Sequence, residues 1–524
     1  MYKLLFMRKH YTFLVLLFTV FIGNAQIVNI PDANFKAKLL SASPTTYIAR
    51  DENFNLIKID TNDDGQIQVS EALEVYWLAV NQSNIGDLTG IEAFTNLELL
   101  NCGGNTFMTI DISALVNLET FYCSYSLMPS INLNDLTNLT TVLIDNSALT
   151  SLTVSNLPNF HSIITTLSPN LTSLVFNNCP ALYTVEAVGC HLNTLIFNNC
   201  TNLQVLKCNG NYLQSLDVSN CPEIMELICG NNQLQDLELN ANPSTLYKLN
   251  CSFNNLTSLE LSNAINLNTL ICHNNQITTL DLSNTQISST IDSFKCDNNN
   301  LYSLFIKNGQ INAGHYFGNN PNLRFICIDD NPIEQNWFQN MVNQYGYTNC
   351  VVSSYCSFVP GGIYYVIEGS TKYDINNNGF DAGDISFPDL KLTINNSATT
   401  GTLISNDSGN YNIPVSAGTH TITPVLENPS YFNVSPATAT VSFPSETSPF
   451  TQDFCVTANG VKNDVEVTII PIEVARPGFD AEYKIIYKNK GNQVANGSLN
   501  FTFDDAIMDL VSATPVNDNA ATNS

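Results

Sequence analysis

Basic side chains are scarce in this 524-residue chain. Lys and Arg together number 19 against 46 Asp and Glu, which gives a formal net charge of −27 at pH 7. A surface of this sign repels phosphate backbones and anionic lipids, so nucleic-acid binding is excluded. The same surface suits a soluble exported protein and attracts metal cations.

Long apolar runs are absent after residue 25, and no later segment is apolar enough to cross a bilayer. The first 25 residues carry Lys3, Arg8 and Lys9, then the apolar run YTFLVLLFTVFIG, then small residues up to Ala25. This order predicts a secretory signal peptide over residues 1–25. Its removal takes away three basic residues and no acidic one, leaving 46 acidic against 16 basic side chains, a net charge of −30. We therefore expect a secreted or cell-surface extracellular protein without membrane insertion.

Catalytic motifs are missing as well. The sequence contains no HExxH, GxSxG or CxxC motif and no glycine loop of the kind that binds phosphate. Its six histidines are scattered, at positions 10, 161, 191, 273, 315 and 420. His273 follows Cys272 directly, so the two side chains lie on opposite faces of a strand and cannot form a Cys–His dyad. We expect no enzymatic activity and no catalytic residue.

A repeat dominates what the sequence does contain. The unit LxxLxCxxNxLxxLxLxxxxx recurs with six of its ten spacings equal to 21 residues, two equal to 22, and the last two equal to 24 and 32. The copies begin at Leu97, Leu118, Leu139, Phe160, Leu182, Leu203, Ile224, Leu246, Leu267, Ile291 and Leu323. A fixed period predicts a solenoid, here of about 11 coils over residues 96–356. Each coil has room for one short strand and an extended or 3₁₀ return arc.

The repeat resembles the leucine-rich repeat family, in its short 21-residue bacterial form, over roughly residues 90–350. The resemblance implies a mainly β fold and a role in surface adhesion or protein recognition, as in internalin-like proteins. It also implies a bacterial source that uses type IX export. We expect a monomer with a protein ligand. A glycan-binding or substrate-capturing accessory of a polysaccharide-degrading system is the alternative.

Ten of the 15 cysteines recur at a fixed phase of the repeat. Seven occupy the inward strand position: Cys102, Cys123, Cys208, Cys229, Cys251, Cys272 and Cys296. Parallel, in-register side chains point the same way, whereas a disulfide needs converging Cβ vectors. We therefore interpret the column as a ladder of small apolar side chains rather than as disulfide or redox chemistry. A second set, Cys179, Cys200 and Cys221, receives the same interpretation.

An asparagine column follows the cysteines and is expected to bond the buried backbone of each turn. It comprises Asn105, Asn211, Asn232, Asn254, Asn275, Asn299 and Asn331, and it changes to Ser126, Ser147, Ser168 and Cys190 in the middle coils. We therefore expect the coils between about residues 118 and 200 to be less regular and less well bonded.

Residues 26–95 are expected to cap the first coil, with an amphipathic segment (PDANFKAKLLSA) and a helix from about Ser70. Between them DTNDDGQIQVSE, residues 60–71, matches the EF-hand calcium loop position for position. The matching ligands are Asp60, Asn62, Asp64, the backbone of Gln66 and bidentate Glu71. We expect Ca²⁺ in a structural role; an acidic turn with a helix cap is the alternative.

The last repeat is followed by NPIEQNWFQNMVNQYGYTNC, where Trp337, Phe338 and Met341 can close the other end of the core. Three cysteines near this end stand off the ladder phase or beyond it: Cys327, Cys350 and Cys356. In an exported protein two of them can form a disulfide, and the sequence leaves open which two.

Residues 363–456 lose the repeat and show short alternating strands with turn signals. They resemble bacterial B-type surface domains of transthyretin-like β-sandwich fold. Asp374, Asn376, Asn378 and Asp384 resemble the calcium loop of those domains, with an Asx-rich turn as the alternative. Residues 457–524 resemble part of an Ig-like module. Since such a sandwich usually needs about 100 residues, we expect missing strands and a fragment or truncated product.

The candidate ligand-binding surface is the concave side of the predicted solenoid. The outward column reads Asn101, Tyr122, Leu143, Ile164, Glu186, Lys207, Ile228, Asn250, Ile271, Lys295 and Cys327. Tyr122, Leu143 and Ile164 are consecutive and would form an apolar patch about 10 Å long, with Ile228 and Ile271 on the same face. Ordinary strand propensity on a half-exposed sheet is the alternative. Because aromatic residues are few in this column, a protein ligand is favoured over a glycan.

Overall fold

The computed structural model describes residues 26–290, 292–347, 350–358, 363–472, 476, 478–502 and 510–514. The predicted signal peptide, residues 1–25, lies outside the described residues. The chain divides into two compact units, one ending at Val352 and the other beginning at Ser353, and each is described by itself. No helix within the described part of the chain is long and apolar enough to span a membrane.

Over its described residues the first unit is a β-solenoid with two short helices near residues 33 and 69, one longer helix near its end and a 3₁₀ turn at Ile91–Ala93. The helices are α1 (Ala33–Leu40), α2 (Val69–Ala72) and α3 (Pro332–Gln344). Its strands are β1 (Ala49–Arg50), β2 (Trp77–Ala79), β3 (Leu99–Asn101), β4 (Thr120–Tyr122), β5 (Thr141–Leu143), β6 (Ser151–Ser155), β7 (Ser162–Ile164), β8 (Ser173–Asn177), β9 (Thr184–Glu186), β10 (Thr194–Asn198), β11 (Val205–Lys207), β12 (Ser215–Asp217), β13 (Glu226–Ile228), β14 (Asp236–Glu238), β15 (Lys248–Asn250), β16 (Thr269–Ile271), β17 (Thr279–Asp281), β18 (Phe294–Lys295), β19 (Ser303–Phe305), β20 (Phe325–Cys327) and β21 (Val351–Ser353).

Twelve of these strands form one sheet, called here the long sheet, in the order β1-β2-β3-β4-β5-β7-β9-β11-β13-β15-β16-β18. Every pairing after the antiparallel β1–β2 pair is parallel, and partners on successive coils of the repeat lie 21 to 24 residues apart. The return arcs carry smaller parallel sheets, β6-β8-β10, β12-β14 and β17-β19-β20, and β21 is the neighbour of β20 in the last of them. The mainly β solenoid expected from the repeat is therefore the fold of this unit.

One continuous apolar core runs along the solenoid between the two sets of sheets. From β3 onward the middle residue of each three-residue long-sheet strand is buried, as Phe121, Val142 and Ile163 are, while its two neighbours are half-exposed. The ten cysteines predicted to pack inward are all buried and all free thiols. Their interpretation as packing residues is confirmed.

The asparagine column bonds the turns as expected. Asn211 donates from Nδ2 to the carbonyl oxygens of Ala187 (2.7 Å) and Cys208 (2.9 Å), while its Oδ1 accepts from Leu192 N (3.0 Å). In the middle coils Ser126 Oγ has no hydrogen-bond partner among the described residues, so bonding there is poorer. The expectation of poorer regularity is wrong, because β6, β8 and β10, at five residues each, are the longest solenoid strands described.

The last repeat was placed in the wrong phase. Asn320 makes the bonds predicted for Asn331, donating to Cys296 O (3.2 Å) and Phe317 O (3.0 Å), while Asn331 caps α3. Phe317 therefore stands where earlier coils have a ladder cysteine. Cys327 is buried in β20 on the return-arc side, so it does not belong to the outward column.

The ends of the solenoid are closed by the helices. Asp32 caps α1 by accepting from Phe35 N (2.8 Å), and its other oxygen accepts from Gly86 N (2.8 Å) of the first coil. At the other end Phe338 of α3 is buried and packs against Phe317, with ring centroids 5.5 Å apart. Trp337 and Met341 are half-buried against the same core, so the predicted closure of this end is confirmed.

Three cysteines were candidates for one disulfide. Cys350 is a free, partly buried thiol and takes no part in a disulfide, whereas Cys327 and Cys356 are each disulfide-bonded. Burial raises the pKa of the Cys350 thiol to about 12, so this thiol stays protonated at neutral pH.

The second unit is all β within the described residues. Its strands are β22 (Tyr365–Asp374), β23 (Ile385–Ser386), β24 (Lys391–Asn395), β25 (Thr400–Ile404), β26 (Asn410–Val415), β27 (Gly418–Val425), β28 (Phe432–Ser435), β29 (Ala439–Phe443), β30 (Phe450–Thr451), β31 (Phe454–Ala458), β32 (Val465–Pro471) and β33 (Tyr483–Asn489). A six-stranded sheet around β22 and the sheet β25-β24-β27-β29 share one apolar core. The two layers agree with a sandwich; membership of the transthyretin-like type stays a prediction. β32 and β33 form a separate antiparallel hairpin.

Candidate ligand-binding face and calcium loops

Tyr122, Leu143 and Ile164 stand side by side on the long sheet. They occupy the last position of β4, β5 and β7, where Tyr122 is the direct partner of Leu143 and Leu143 of Ile164. All three are half-exposed, whereas the residues just before them are buried. At the strand spacing of a parallel sheet they cover about 10 Å. The outward side of the long sheet that carries them is called here the long-sheet face.

Ile228 and Ile271 lie further along the same column and are also half-exposed. They are separated from the first three residues by Glu186 and Lys207, which form an ion pair at 2.8 Å. The hydrogen bond to Glu186 raises the pKa of Lys207, so the ammonium stays charged. The five predicted contact residues therefore form two groups on one face rather than one stripe.

The column continues from Lys295 to Tyr316 instead of Cys327. The two residues form a parallel bridge, and the Lys295 Nζ lies 5.3 Å from the centre of the half-exposed Tyr316 ring. This distance is that of a cation–π contact. Tyr316 was not predicted from the sequence, because the copy of the repeat around it lacks both the leucine and the cysteine of the repeat.

A second set of large side chains on the same face was also missed. Tyr183, Met225 and Tyr247 each follow the first apolar residue of a repeat and precede its strand. Met225 and Tyr247 are about half exposed, and Tyr183 stacks on His161 with ring centroids 5.0 Å apart. These three residues share one fixed position of the repeat, directly after its first apolar residue. The prediction from the sequence considered only the outward position within each strand.

The loop over residues 60–71 is tightly hydrogen-bonded. Asp60 Oδ1 accepts from Asp64 N (3.2 Å) and Oδ2 from Gly65 N (3.1 Å), while Asn62 Oδ1 accepts from the same Asp64 amide (3.0 Å). Gly65 has φ +71°, a conformation that favours glycine. Glu71 accepts from Thr61 N (2.7 Å) through one carboxylate oxygen and from Gln68 N (3.0 Å) through the other.

The Gln66 Oε1 atom accepts a hydrogen bond from Lys36 Nζ (2.6 Å). The group predicted to bind the metal is the backbone carbonyl of Gln66. All five predicted donors are oxygens, the type that Ca²⁺ prefers. Within the described residues, no three His, Cys, Asp or Glu side chains are grouped as a preformed metal centre. The loop carboxylates are instead held by backbone N–H groups.

The loop that begins at Asp374 repeats this pattern in the second unit. Asp374 Oδ1 accepts from Asn378 N (3.3 Å) and Oδ2 from Gly379 N (2.8 Å), and Asn376 Oδ1 accepts from the same Asn378 amide (3.1 Å). Asp384 does not join them, because its Oδ2 accepts from the backbone N–H of Asp381 (2.7 Å). The structure thus brings three of the four predicted residues together.

A cleft of about 550 Å³ borders this second loop. Its lining includes Asp374, Phe380, Asp453 and Cys455, and the Cys455 thiol lies 4.0 Å from an Asp374 oxygen. Burial, followed by the nearby carboxylates, raises the pKa of Cys455, so the thiol is a weak nucleophile. Burial raises the pKa of the Cys208 thiol to about 12, and this ladder thiol belongs to the core of the solenoid.

No protein-family model matches this chain, and no curated protein matches it in sequence. Several solved structures are similar to it. The functional domain of InlJ from Listeria monocytogenes, which includes a cysteine ladder, is 18% identical and has a TM-score of 0.38, with 83% of this chain and 98% of that chain covered.

Two further structures have comparable likeness. An internalin (inlF) from Listeria monocytogenes strain 4b F2365 is 20% identical with a TM-score of 0.32, covering 59% of this chain and 93% of that chain. YopM, a leucine-rich effector protein from Yersinia pestis, is 19% identical with a TM-score of 0.34, covering 49% of this chain and 75% of its own. These likenesses concern the fold alone.

Proposed function

We propose that this chain is an exported, non-enzymatic leucine-rich repeat protein that recognises a protein ligand through the long-sheet face, with surface adhesion as its use. The observation that carries the proposal is the column Tyr122–Leu143–Ile164, three large apolar side chains in direct register and half-exposed on a flat parallel sheet. Contiguous exposed apolar surface is a frequent mark of a contact site. The protein acts outside the cell and as a monomer.

The second candidate is the capture of a glycan. It is favoured by the aromatic side chains that flank the column, in particular Tyr183, Tyr247 and Tyr316, because sugar rings stack on exposed aromatic faces. These rings are spread over several coils, whereas the apolar column is continuous, so protein recognition is the better-supported function.

Calcium has a structural part in this proposal. Asp60, Asn62, Asp64, the Gln66 carbonyl and Glu71 would hold the ion in the N-terminal cap, and Asp374, Asn376 and Asn378 would contribute to a second site. A bound cation would neutralise carboxylates that otherwise repel one another and would fix the loop beside α2. The hydrogen-bond pattern shared by the two loops supports this role.

The test is a screen of the mature chain, residues 26–524, on protein and glycan arrays. It runs beside the variant Tyr122→Ser/Leu143→Ser/Ile164→Ser and the control Val116→Ser/Val175→Ser/Ile196→Ser, whose residues lie outside the long sheet. We expect a protein hit that the first variant loses and the control keeps. A glycan hit that both variants retain would favour the second candidate and move the site elsewhere.

A further inference from the structure

Three bulky residues adopt a backbone conformation that elsewhere in the repeat is given to glycine or asparagine. Tyr125, Leu167 and Phe253 have φ of +57°, +53° and +54°. Eight of the equivalent residues in the other coils are glycine or asparagine, all with positive φ: Gly104, Asn146, Gly189, Gly210, Asn231, Asn274, Asn298 and Asn319. The equivalent residue of the β2 coil is Gln82, with φ +50°. Large side chains rarely adopt this conformation, since it strains the backbone.

The same three side chains are also exposed, by 62% for Tyr125, 58% for Leu167 and 47% for Phe253. Folding gains little from an exposed apolar side chain, and it loses stability through the strain. An asparagine or glycine would suit the isolated protein better at each position. Phe253 contacts His273 edge-on within the chain, with ring centroids 4.9 Å apart. A contact made outside this chain therefore accounts for Tyr125 and Leu167 better than folding does.

Two of these residues border the apolar column. Tyr125 N donates to Asp145 O (2.9 Å) and Leu167 N to Val188 O (2.8 Å), so both continue the parallel ladder just beyond the strands. The Leu167 Cδ2 atom stands 3.1 Å from the point where a Cβ on Gly189 would lie. The glycine of the next coil thus leaves space for the leucine side chain at the edge of the long-sheet face.

The charge along this part of the chain has one sign. No Lys or Arg occurs between Lys58 and Lys207, whereas residues 59–206 contain 13 Asp and Glu. Three of the acidic residues flank long-sheet strands in this region: Glu119 precedes β4, Asp145 follows β5, and Glu98 precedes the neighbouring strand β3. Asp145 is held in place by Ser124 Oγ and by Asn146 Nδ2, which donates at 2.8 Å.

The second half of the face is different, because each of its basic side chains that lies on a long-sheet strand meets a carboxylate. Lys207 pairs with Glu186 at 2.8 Å, Lys248 with Glu226 at 2.9 Å, and Lys295 with Asp292 at 2.7 Å. In the second half of the face, Asp297 stands at the repeat position of Asp145 without an ion pair to any described residue. The first half has three acidic side chains, Glu98, Glu119 and Asp145, and no Lys or Arg, so more of the unneutralised negative charge lies around Tyr122, Leu143 and Ile164. A one-signed surface attracts a partner of the opposite sign and increases the rate of encounter.

We propose that the ligand is a cationic polypeptide segment in which Lys or Arg side chains alternate with large apolar ones, bound at residues 98–167 of the long-sheet face. Its apolar side chains pack on the column and against Tyr125 and Leu167. Its cationic side chains pair with Glu98, Glu119 and Asp145. This inference rests on the proposed function and specifies which half of the face acts and what chemistry it recognises.

The probe is a set of four synthetic peptides of equal length that combine Lys or Glu with either Tyr and Leu or Ser. Their binding to the mature full chain is measured by fluorescence anisotropy at low and high salt. We expect the peptide with Lys, Tyr and Leu to bind at least tenfold more tightly than the other three, and more weakly at high salt. Equal binding of all four peptides, or no binding, would overturn the proposal.

Two charge variants test whether the acidic side chains beside the long-sheet strands contribute to binding. Glu98→Gln/Glu119→Gln/Asp145→Asn removes three charges and keeps the side-chain shapes; Asp87→Asn/Asp111→Asn/Asp135→Asn removes three charges from the same stretch outside the long sheet. The first should weaken binding about tenfold or more and the second by less than about threefold. Equal losses in the two variants would mean attraction by net charge alone and would contradict a defined site.

The variant Tyr125→Asn/Leu167→Asn tests these two exposed side chains, because it gives both coils the asparagine that other coils have at this position. It should raise the melting temperature and still weaken binding, a combination that a merely structural role does not produce. Unchanged affinity would remove these two residues from the site. If an array hit depends on Tyr122, Leu143 and Ile164 but ignores the charge variant and salt, protein recognition stands and the cationic ligand is wrong.

Discussion

Asn211 is buried between two coils, where its amide satisfies two carbonyl groups and one N–H group of the backbone. Leaving such groups unpaired in the core costs about 1–3 kcal/mol each, so in the coils that have this asparagine it fixes the turn and the stacking of the next coil. A second asparagine series does similar work at the coil edge, where Asn117, Asn138 and Asn159 each donate to a carbonyl of the preceding coil.

His315 is a buried histidine of the solenoid whose surroundings disfavour its protonated form. It contacts Phe294 and Trp337 edge-on, and its Nε2 has no hydrogen-bond partner among the described residues. Burial lowers the pKa of His315 to about 4. As the pH falls below about 6.5, the unfolded chain binds this proton before the folded chain does, so stability decreases between about pH 6.5 and pH 4, by up to about 3 kcal/mol.

The variant His315→Phe should lose this pH dependence, as measured by urea unfolding of the solenoid from neutral to acidic pH. Glu334, a buried carboxyl whose pKa is raised by burial, acts in the opposite direction, so the difference between wild type and variant isolates the histidine. The exposed His161, changed to Gln, serves as the control. The same acid sensitivity in wild type and His315→Phe would show that His315 is not the cause.

The errors of the sequence analysis at this scale have one physical origin. Asn331 and Cys327 were assigned by counting from Leu323, but Leu323 belongs to the return arc and Phe317 fills the ladder position. Phenylalanine buries its ring there as cysteine buries its thiol, so the core accepts it although the pattern is lost. The poorer hydrogen bonding of the middle coils could be predicted, because a serine side chain cannot make the three hydrogen bonds that an asparagine side chain makes.

At the scale of elements, the calcium loop in the N-terminal cap gives a direct test. Calcium should raise the melting temperature of the mature chain above its value in chelator, because a ligand of the folded state stabilises it. In Asp60→Ala/Glu71→Ala the part of the increase that belongs to the solenoid should disappear. Asp374→Ala, which alters only the second loop, should keep the part of the increase that belongs to the solenoid. A wild-type melting temperature that is the same in calcium and chelator would contradict the calcium proposal.

The strands of the long sheet could be predicted from the sequence. In ten copies, the alternation of inward and outward residues within a strand agrees with the period of the repeat. The return-arc strands were expected only as extended structure, and their pairing depends on contacts between coils that a single repeat does not contain. The helix expected from about Ser70 is the four-residue α2, since Glu71 also bonds the loop before it.

At the scale of the whole molecule, charge and apolar surface are distributed unevenly along the chain. The acidic stretch between Lys58 and Lys207 coincides with the apolar column, and both properties can be read from the sequence once the coils are aligned. The strain at Tyr125, Leu167 and Phe253 could not be read in this way, because it depends on backbone angles. The packing of β32 and β33 could not be predicted from the sequence either. Every described side chain of β32 is exposed.

The most direct test of the account is amide hydrogen exchange of the mature chain with and without its protein ligand, taken from the array screen. Recognition through the long-sheet face predicts slower exchange on binding in segments 118–125, 139–146 and 160–167, and unchanged exchange in 151–155 and 173–177 of the return arcs. Slower exchange confined to the return arcs or to residues 363–456 would contradict the central claim.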